Sequence, residues 1–255
     1  MKPLRVFITG ASSGLGAALA HYYAAQGASL GLVGRRAEAL HQVSQPFGDC
    51  ACYPLDVRDS AAMQSAAADF MQRFGTPDIV IAAAGISVGT LTEFADDLTV
   101  FKAVMDINVL GMVTTFQPFI VAMRKQGSGV LAGIGSVAGI RGLPGGSAYS
   151  ASKAAAITYL ESLRVELKGS GVAVTTVNPG YIVTPMTAVN PYPMPFILRA
   201  DVAATKTARA IARRRRYATL PWQMALVAKL LRLLPCALYD RLFQHAPHKP
   251  RNLPL

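Results

Sequence analysis

Short apolar runs recur along the chain, and stretches of helical spacing separate them. Residues 4–8 form the first run and end at Thr9-Gly10. Residues 14–26 read as a helix closed by Gly27. Further runs at 28–33, 51–55, 78–82, 130–134 and 172–177 read as strands. Helical spacing covers 36–43, 60–73 with Ser60 as N-cap, 98–125 and 149–168. The strands are apolar almost throughout, so both of their faces must be buried. Strands of that kind, alternating with helices, predict an α/β Rossmann-type doubly wound parallel sheet with helices on both faces.

The chain continues past the sixth run. Asp201 is placed to cap a helix through Arg213, followed by four arginines at 213–216 and a strand-like stretch at 217–220. Pro221 can open a last helix over 222–234. Residues 251–255, preceded by Pro247 and Pro250, predict a loose tail. With 255 residues the expectation is one catalytic domain over 1–220, including a substrate loop at 185–200, and a basic amphipathic extension over 221–255.

Charge sharpens that division. Of 25 Lys/Arg and 14 Asp/Glu in the chain, residues 199–255 hold 12 and 2, a net of +10, against +1 for the rest. The basic character therefore belongs to the C-terminal segment. No aromatics interleave the arginines and no reading motif is present, so nucleic acid is not an expected partner. The helix at 222–234 is too short to span a bilayer. Its leucines suit a membrane interface, with nearby arginines facing anionic headgroups, and equally a lid over the cleft or a homodimer contact. An acidic carrier protein is a further candidate partner for the positive charge.

Three cysteines, Cys50, Cys52 and Cys236, give no disulfide framework and suit a reducing compartment, and no metal cluster is evident. No secretory pattern precedes the first strand, and no run of about 18 consecutive apolar residues is present. The expected location is cytoplasmic, with peripheral membrane contact as an option.

The candidate chemistry starts at Gly10-Ala11-Ser12-Ser13-Gly14-Leu15-Gly16, between a strand and a helix. Glycines there allow a tight turn and let a pyrophosphate reach the backbone at a helix N-terminus. After the second strand, dinucleotide-binding folds commonly place a carboxylate for the ribose 2′-hydroxyl. This chain has Gly34-Arg35-Arg36 instead, with no acidic residue from 17 to 37. A guanidinium can hold a 2′-phosphate, so the expected cofactor is NADP(H), with Arg35 the first choice of ligand and Arg36 the second. Further on, Tyr149 and Lys153 are i and i+4 on one helix face, and Ser136 ends the preceding strand. An ammonium beside a phenol is expected to lower its pKa and make it an acid/base near neutrality.

Together these residues closely resemble the short-chain dehydrogenase/reductase superfamily, over residues 4 to about 185. Thr9 to Gly16 matches its T-G-x-x-x-G-x-G turn, and Asp56-Val57 its adenine-binding pair. Asn108 matches its structural and proton-relay asparagine, and Ser136, Tyr149 and Lys153 its catalytic triad. Asn178-Pro179-Gly180-Tyr181-Ile182-Val183-Thr184 matches its nicotinamide-facing loop.

The resemblance implies that Tyr149 transfers the substrate proton, Ser136 positions the substrate oxygen and Lys153 binds the nicotinamide ribose. It also implies that Asn108 holds a water on the proton path. Pro179 and Gly180 belong to the loop in which Ile182 and Thr184 face the carboxamide. One departure stands out: the family's Asn-Asn-Ala-Gly is Ala82-Ala83-Ala84-Gly85 here, which leaves Ala83 and Gly85 as cofactor contacts.

The implied activity is NADP-dependent interconversion of a carbonyl and an alcohol. The loop from Pro185 to Ile197 is rich in proline and apolar residues, including Met186 and Met194, and favours an apolar or lipid-like ketone or aldehyde. Reduction of a 3-oxoacyl group on a carrier protein is the alternative. A non-catalytic NADP-binding regulator is disfavoured because Asn108, Ser136, Tyr149 and Lys153 are all present.

Overall fold

The computed structural model describes residues 3–253; the first two residues and the last two of the expected loose tail lie outside the described residues. Seven parallel strands form one sheet in the order β3-β2-β1-β4-β5-β6-β7. They are β1 (Arg5–Thr9), β2 (Ser29–Gly34), β3 (Cys50–Pro54), β4 (Ile79–Ala82), β5 (Gly129–Ile134), β6 (Val172–Pro179) and β7 (Tyr217–Leu220). Every run read as a strand is one, and the stretch at 217–220 completes the far edge. The helices are α1 (Gly14–Ala24), α2 (Ala37–Ser44), α3 (Ser60–Phe74), α4 (Asp97–Met105), α5 (Gly111–Gln126), α6 (Ser147–Glu166), α7 (Pro185–Ala188), α8 (Ala200–Ala212), α9 (Trp222–Leu233) and α10 (Cys236–Phe243).

The period-2 alternation of the strands sorts their side chains into two cores. Phe7, Val33, Val80, Leu131 and Val174 face α3, α5 and α6, where Phe70, Phe116, Phe119 and Leu160 close the layer. Val6, Ile8, Leu30, Ile81 and Ala132 face α1, α2 and α8, against Leu19, Leu40, Ala208 and Ile211. Both faces being apolar is why the strands read as continuous apolar runs. At the sheet's lower edge, Arg5 and Asp78 tie the starts of β1 and β4 by a 2.7 Å ion pair.

Several local expectations change. The cap of α3 is Asp59 and not Ser60: its carboxylate accepts from the Ala62 N–H at 3.0 Å, and Ser60 becomes the first residue of the helix. Helix α8 starts at Ala200 behind Arg199, because the Asp201 carboxylate pairs with the Arg199 side chain at 2.9 Å instead of capping. The helix expected over 98–125 is broken by a π turn at Asp106–Leu110. Among the described residues, Asp97–Gln126 is the one stretch long and apolar enough to cross a bilayer by length and composition. It is a core helix here, with Met112, Phe116, Phe119 and Met123 buried against the sheet. Helix α10 was not foreseen. The tail is not loose as far as it is described: Arg251 is held by Asp97, and the Gly89 N–H donates to the Pro250 carbonyl at 3.0 Å.

Candidate active site

The sheet order reverses between β1 and β4, since β1's chain neighbour β2 lies on one side and β4 on the other. Loops leaving adjacent strands in opposite directions open a crevice at their C-terminal ends. The glycine turn fills its floor. Gly10 has φ +70°, and a Cβ there would stand 2.7 Å from the Ala84 nitrogen and 2.8 Å from the Ala83 carbonyl. The two backbones therefore cross in contact, with alanines at 82 and 83. A Cβ at Gly16 would meet the Gly10 carbonyl at 2.2 Å, so α1 can start tightly against the turn.

Two adjoining depressions sharing Gly85 line the crevice. The first is bounded by Gly10, Gly34, Arg35, Asp56, Val57 and Ile107. The second holds Ser13, Gly14, Leu15 and Gly16 on one wall and Ala83, Ser136, Tyr149 and Lys153 on another. Pro179, Gly180, Ile182 and Thr184 close it. Three of the candidate residues do not line the crevice. Ser12 packs against Gly34. The Arg36 guanidinium donates to the Ser12 carbonyl at 3.4 Å, on the rim. Asn108 lies behind Ile86.

The crevice suits a dinucleotide on its own geometry. Ser13, the residue before α1, makes no side-chain cap, which leaves the helix's first N–H groups without one from that side chain, next to a turn that admits close approach. At the far end Arg35 stands with Asp56, whose carboxylate is engaged by Arg58 at 2.7 Å and held below its ordinary range mainly by that bond. Arg58 thus neutralises the nearest carboxylate at the arginine end of the groove.

At the reacting end, Ser136 follows β5, whose pairing extends to the Gly135 N–H donating to the Val177 carbonyl at 2.7 Å. Tyr149 and Lys153 rise from α6, one turn apart. The Lys153 ammonium is buried, donates to the Ile134 carbonyl at 2.8 Å and lies 5.8 Å from the Tyr149 ring centre. Burial lowers its pKa to about 8. The Tyr149 phenol moves the other way: burial raises its pKa, and a hydrogen bond with the Ser136 hydroxyl draws it only partly back. The expected depression by Lys153 is thus not the net direction here. Desolvation of the phenolate is the larger cause and the Ser136 bond the opposing one, while the Lys153 ammonium is committed to a backbone carbonyl.

Asn108 sits in the π turn and uses its side chain as a clamp. Its Oδ1 accepts from the Ile86 N–H at 2.8 Å, and its Nδ2 donates to the Ile86 carbonyl at 3.0 Å and to Ser152 Oγ at 2.9 Å. Ser152 in turn donates to the Tyr149 carbonyl at 2.8 Å. The amide thereby ties the loop after β4 to the helix that carries the tyrosine. π turns of this kind leave backbone carbonyls less well paired than in an α-helix, and they concentrate at functional sites.

Further residues shape the mouth without having been singled out. Thr187 Oγ1 donates to the Ile182 carbonyl at 2.6 Å and accepts from the Thr184 N–H at 3.1 Å, pinning the loop that bears both. The C-terminal tail crosses this rim: Lys249 Nζ donates to the Met186 carbonyl at 2.9 Å, and Arg251 holds Asp97. Neither contact carries a local signal, because the partners are distant in sequence.

Comparison with known proteins agrees with this geometry. A family profile described as short chain dehydrogenase matches residues 5–192. The chain is 36% identical over 237 residues to an oxidoreductase of Myxococcus xanthus, covering 91% of this chain and 93% of that one. It is 35% identical over 179 residues to 2-dehydro-3-deoxy-L-rhamnonate dehydrogenase (NAD(+)) of a Sphingomonas species, covering 70% and 72%. The crystal structure of levodione reductase superposes with a TM-score of 0.77 at 26% identity, covering 87% of this chain and 98% of that one. The crevice, the serine–tyrosine–lysine cluster and these likenesses agree: the chain belongs to the short-chain dehydrogenase family of oxidoreductases, which bind a nicotinamide cofactor.

Proposed function

We propose that the protein is an NADPH-dependent reductase of an apolar, lipid-like ketone or aldehyde. The observation that carries the cofactor choice is Arg35 at the end of β2, lining the groove where a carboxylate would otherwise select the free ribose hydroxyl. Its planar cation suits a 2′-phosphate. When bound, the cofactor supplies the hydride; the protein supplies a proton and a fixed geometry. Tyr149 gives its phenolic proton to the substrate oxygen, and Ser136 orients that oxygen by a second hydrogen bond. Lys153 holds the nicotinamide ribose. Burial favours the protonated phenol, which is the state Tyr149 needs to act as the acid in carbonyl reduction.

The apolar substrate is favoured by the mouth. Val183, Met186, Phe196 and Ile197 are exposed on the loop beside Thr184. The arginine run at 213–216 precedes β7 and so lies at the opposite end of the sheet from Tyr149. An acidic carrier docked there would sit far from the reacting centre, which argues against the 3-oxoacyl alternative.

The test is oxidation of NADPH and, in parallel, NADH with ketones and aldehydes of graded chain length, using Tyr149→Phe as control. Turnover that rises with chain length, prefers NADPH and vanishes in the variant is expected. Equal use of NADH, or preference for short polar substrates, overturns the corresponding half of the proposal.

A further inference from the structure

Helix α9 lies across the end of the sheet that holds the active site. It starts next to β7, where the Gly180 N–H donates to the Leu220 carbonyl at 2.7 Å. It ends at Arg141, whose guanidinium donates to the Leu231 and Leu234 carbonyls at 3.1 and 2.9 Å. Its inner face is Met224 and Ala228, buried on Val137, with Met224 also against Gly180. Its inward side is therefore part of the wall behind the nicotinamide-facing loop.

The outward side is not polar. At 100° per residue, positions 222, 226, 229, 230 and 233 share one face. They are Trp222, Leu226, Lys229, Leu230 and Leu233, with Trp222 67%, Leu230 65% and Leu233 79% exposed. Helix α10 adds exposed Leu238 and Leu242. Its inner residue Tyr239 is stacked under the Arg141 guanidinium at 4.3 Å, so both helices are anchored by one arginine. Across the two helices the charges are Lys229, Arg232 and Arg241, against the single carboxylate of Asp240.

We infer that this face of α9 and α10 docks on an anionic lipid surface. A solvated face would not carry a tryptophan and three leucines in one stripe. Nor does a second copy of the chain suit it: a two-fold contact would bring Lys229 towards its own counterpart within an apolar patch. A bilayer surface accepts both features, since the leucines and the indole enter the acyl boundary and the basic side chains reach up to the headgroups. The four arginines at 213–216 are not part of this surface. They precede β7 and lie at the other end of the sheet, so the expectation that they face the same headgroups as the leucines is corrected. The local cations Lys229 and Arg241 take that role, with Arg232, whose guanidinium donates to the Ile140 carbonyl at 3.3 Å, at the margin of the face. The inference concerns where the protein sits, and it stands whether or not the substrate is lipid-like.

Trp222 is the only tryptophan in the chain, so its emission reports on this face alone. The full chain is titrated with phosphatidylcholine vesicles and with vesicles containing about 30% phosphatidylglycerol, reading emission and co-sedimentation. A blue shift with binding to the anionic vesicles, weakened by salt, is expected. Leu226→Glu with Leu230→Glu should weaken binding at least about tenfold. Lys229→Glu, at an exposed position, should weaken it too, with an unchanged circular dichroism spectrum as the check that it folds. No shift and no binding with either vesicle overturns the inference. So does a shift that depends on protein concentration without lipid and accompanies a dimer mass in sedimentation, which would assign the face to a second copy.

Discussion

Arg251 closes on Asp97 from 154 residues away, its Nε and Nη2 donating to the two carboxylate oxygens at 2.8 and 3.1 Å. The guanidinium also lies 3.5 Å over the Phe94 ring, and the same carboxylate accepts the Leu91 N–H at 2.7 Å. Asp97 therefore organises the loop after β4 and holds the tail against it at once. The guanidinium keeps the carboxyl below its ordinary pKa, so the pair is fully formed at neutral pH and is lost only as pH falls through that lowered value. Replacing Arg251 with alanine should lower Tm and raise KM for the carbonyl substrate while largely sparing kcat, because neither residue touches the reacting atoms. Thermal melts and steady-state kinetics of Arg251→Ala check both; an unchanged KM would mean that the tail does not shape the cleft.

Tyr149→Phe removes the acid and little else, since the ring stays. A loss of roughly 10²–10⁴ in kcat is expected, as for other positioned acids, with NADPH binding retained. Single-turnover measurements with saturating cofactor make the comparison.

Lys153 gives a pH signature. Burial disfavours its ammonium, so the proton leaves near pH 8 and not near 10.5. The charged form is the one that holds the cofactor ribose, so kcat/KM should fall as pH rises through about 8. Lys153→Arg, which stays charged, should move that descending limb to higher pH even if its absolute rate is lower. A limb that stays in place would assign it to another group.

Arg35 should set cofactor choice. Charge-assisted hydrogen bonds are worth about 1.5–3 kcal/mol, so Arg35→Ala should weaken NADPH by roughly 10- to 150-fold and leave NADH nearly unchanged. Arg36→Ala should cost less, because that side chain already bonds the Ser12 carbonyl on the rim. Titrations of both cofactors against both variants decide the order.

The core offers a stability test. Phe7 is fully buried, with ring centres of Phe119 and Phe70 at 4.8 and 5.4 Å. Phe7→Ala should cost about 3–5 kcal/mol, as other large-to-small core changes do. Chemical denaturation measures it.

The sheet was legible because its five inner strands are buried on both faces and write that burial as nearly uninterrupted apolar runs, whereas the edge strands β3 and β7 are only partly covered. The site was legible where its partners are close in sequence, as at Tyr149 and Lys153, or sit in a strand–turn–helix context, as from Gly10 to Gly16. What escaped notice depends on distance or on solvent. The tail looked loose because its proline-rich composition hides a partner at Asp97. The π turn adds a residue without disturbing the apolar spacing of 98–125. The pKa of Tyr149 took the wrong sign because a neighbouring charge can be read from spacing, whereas desolvation cannot.

The tail's position also carries a consequence for biosynthesis. Domains gain structure from the N-terminus as they leave the ribosome. The sheet, the glycine turn and the tyrosine–lysine helix are all translated before residues 249–251. The contacts at Met186 and Asp97 are thus added to a groove whose own residues all precede the tail in the chain, so the rim is fastened by a part of the protein that the groove itself does not need for its lining.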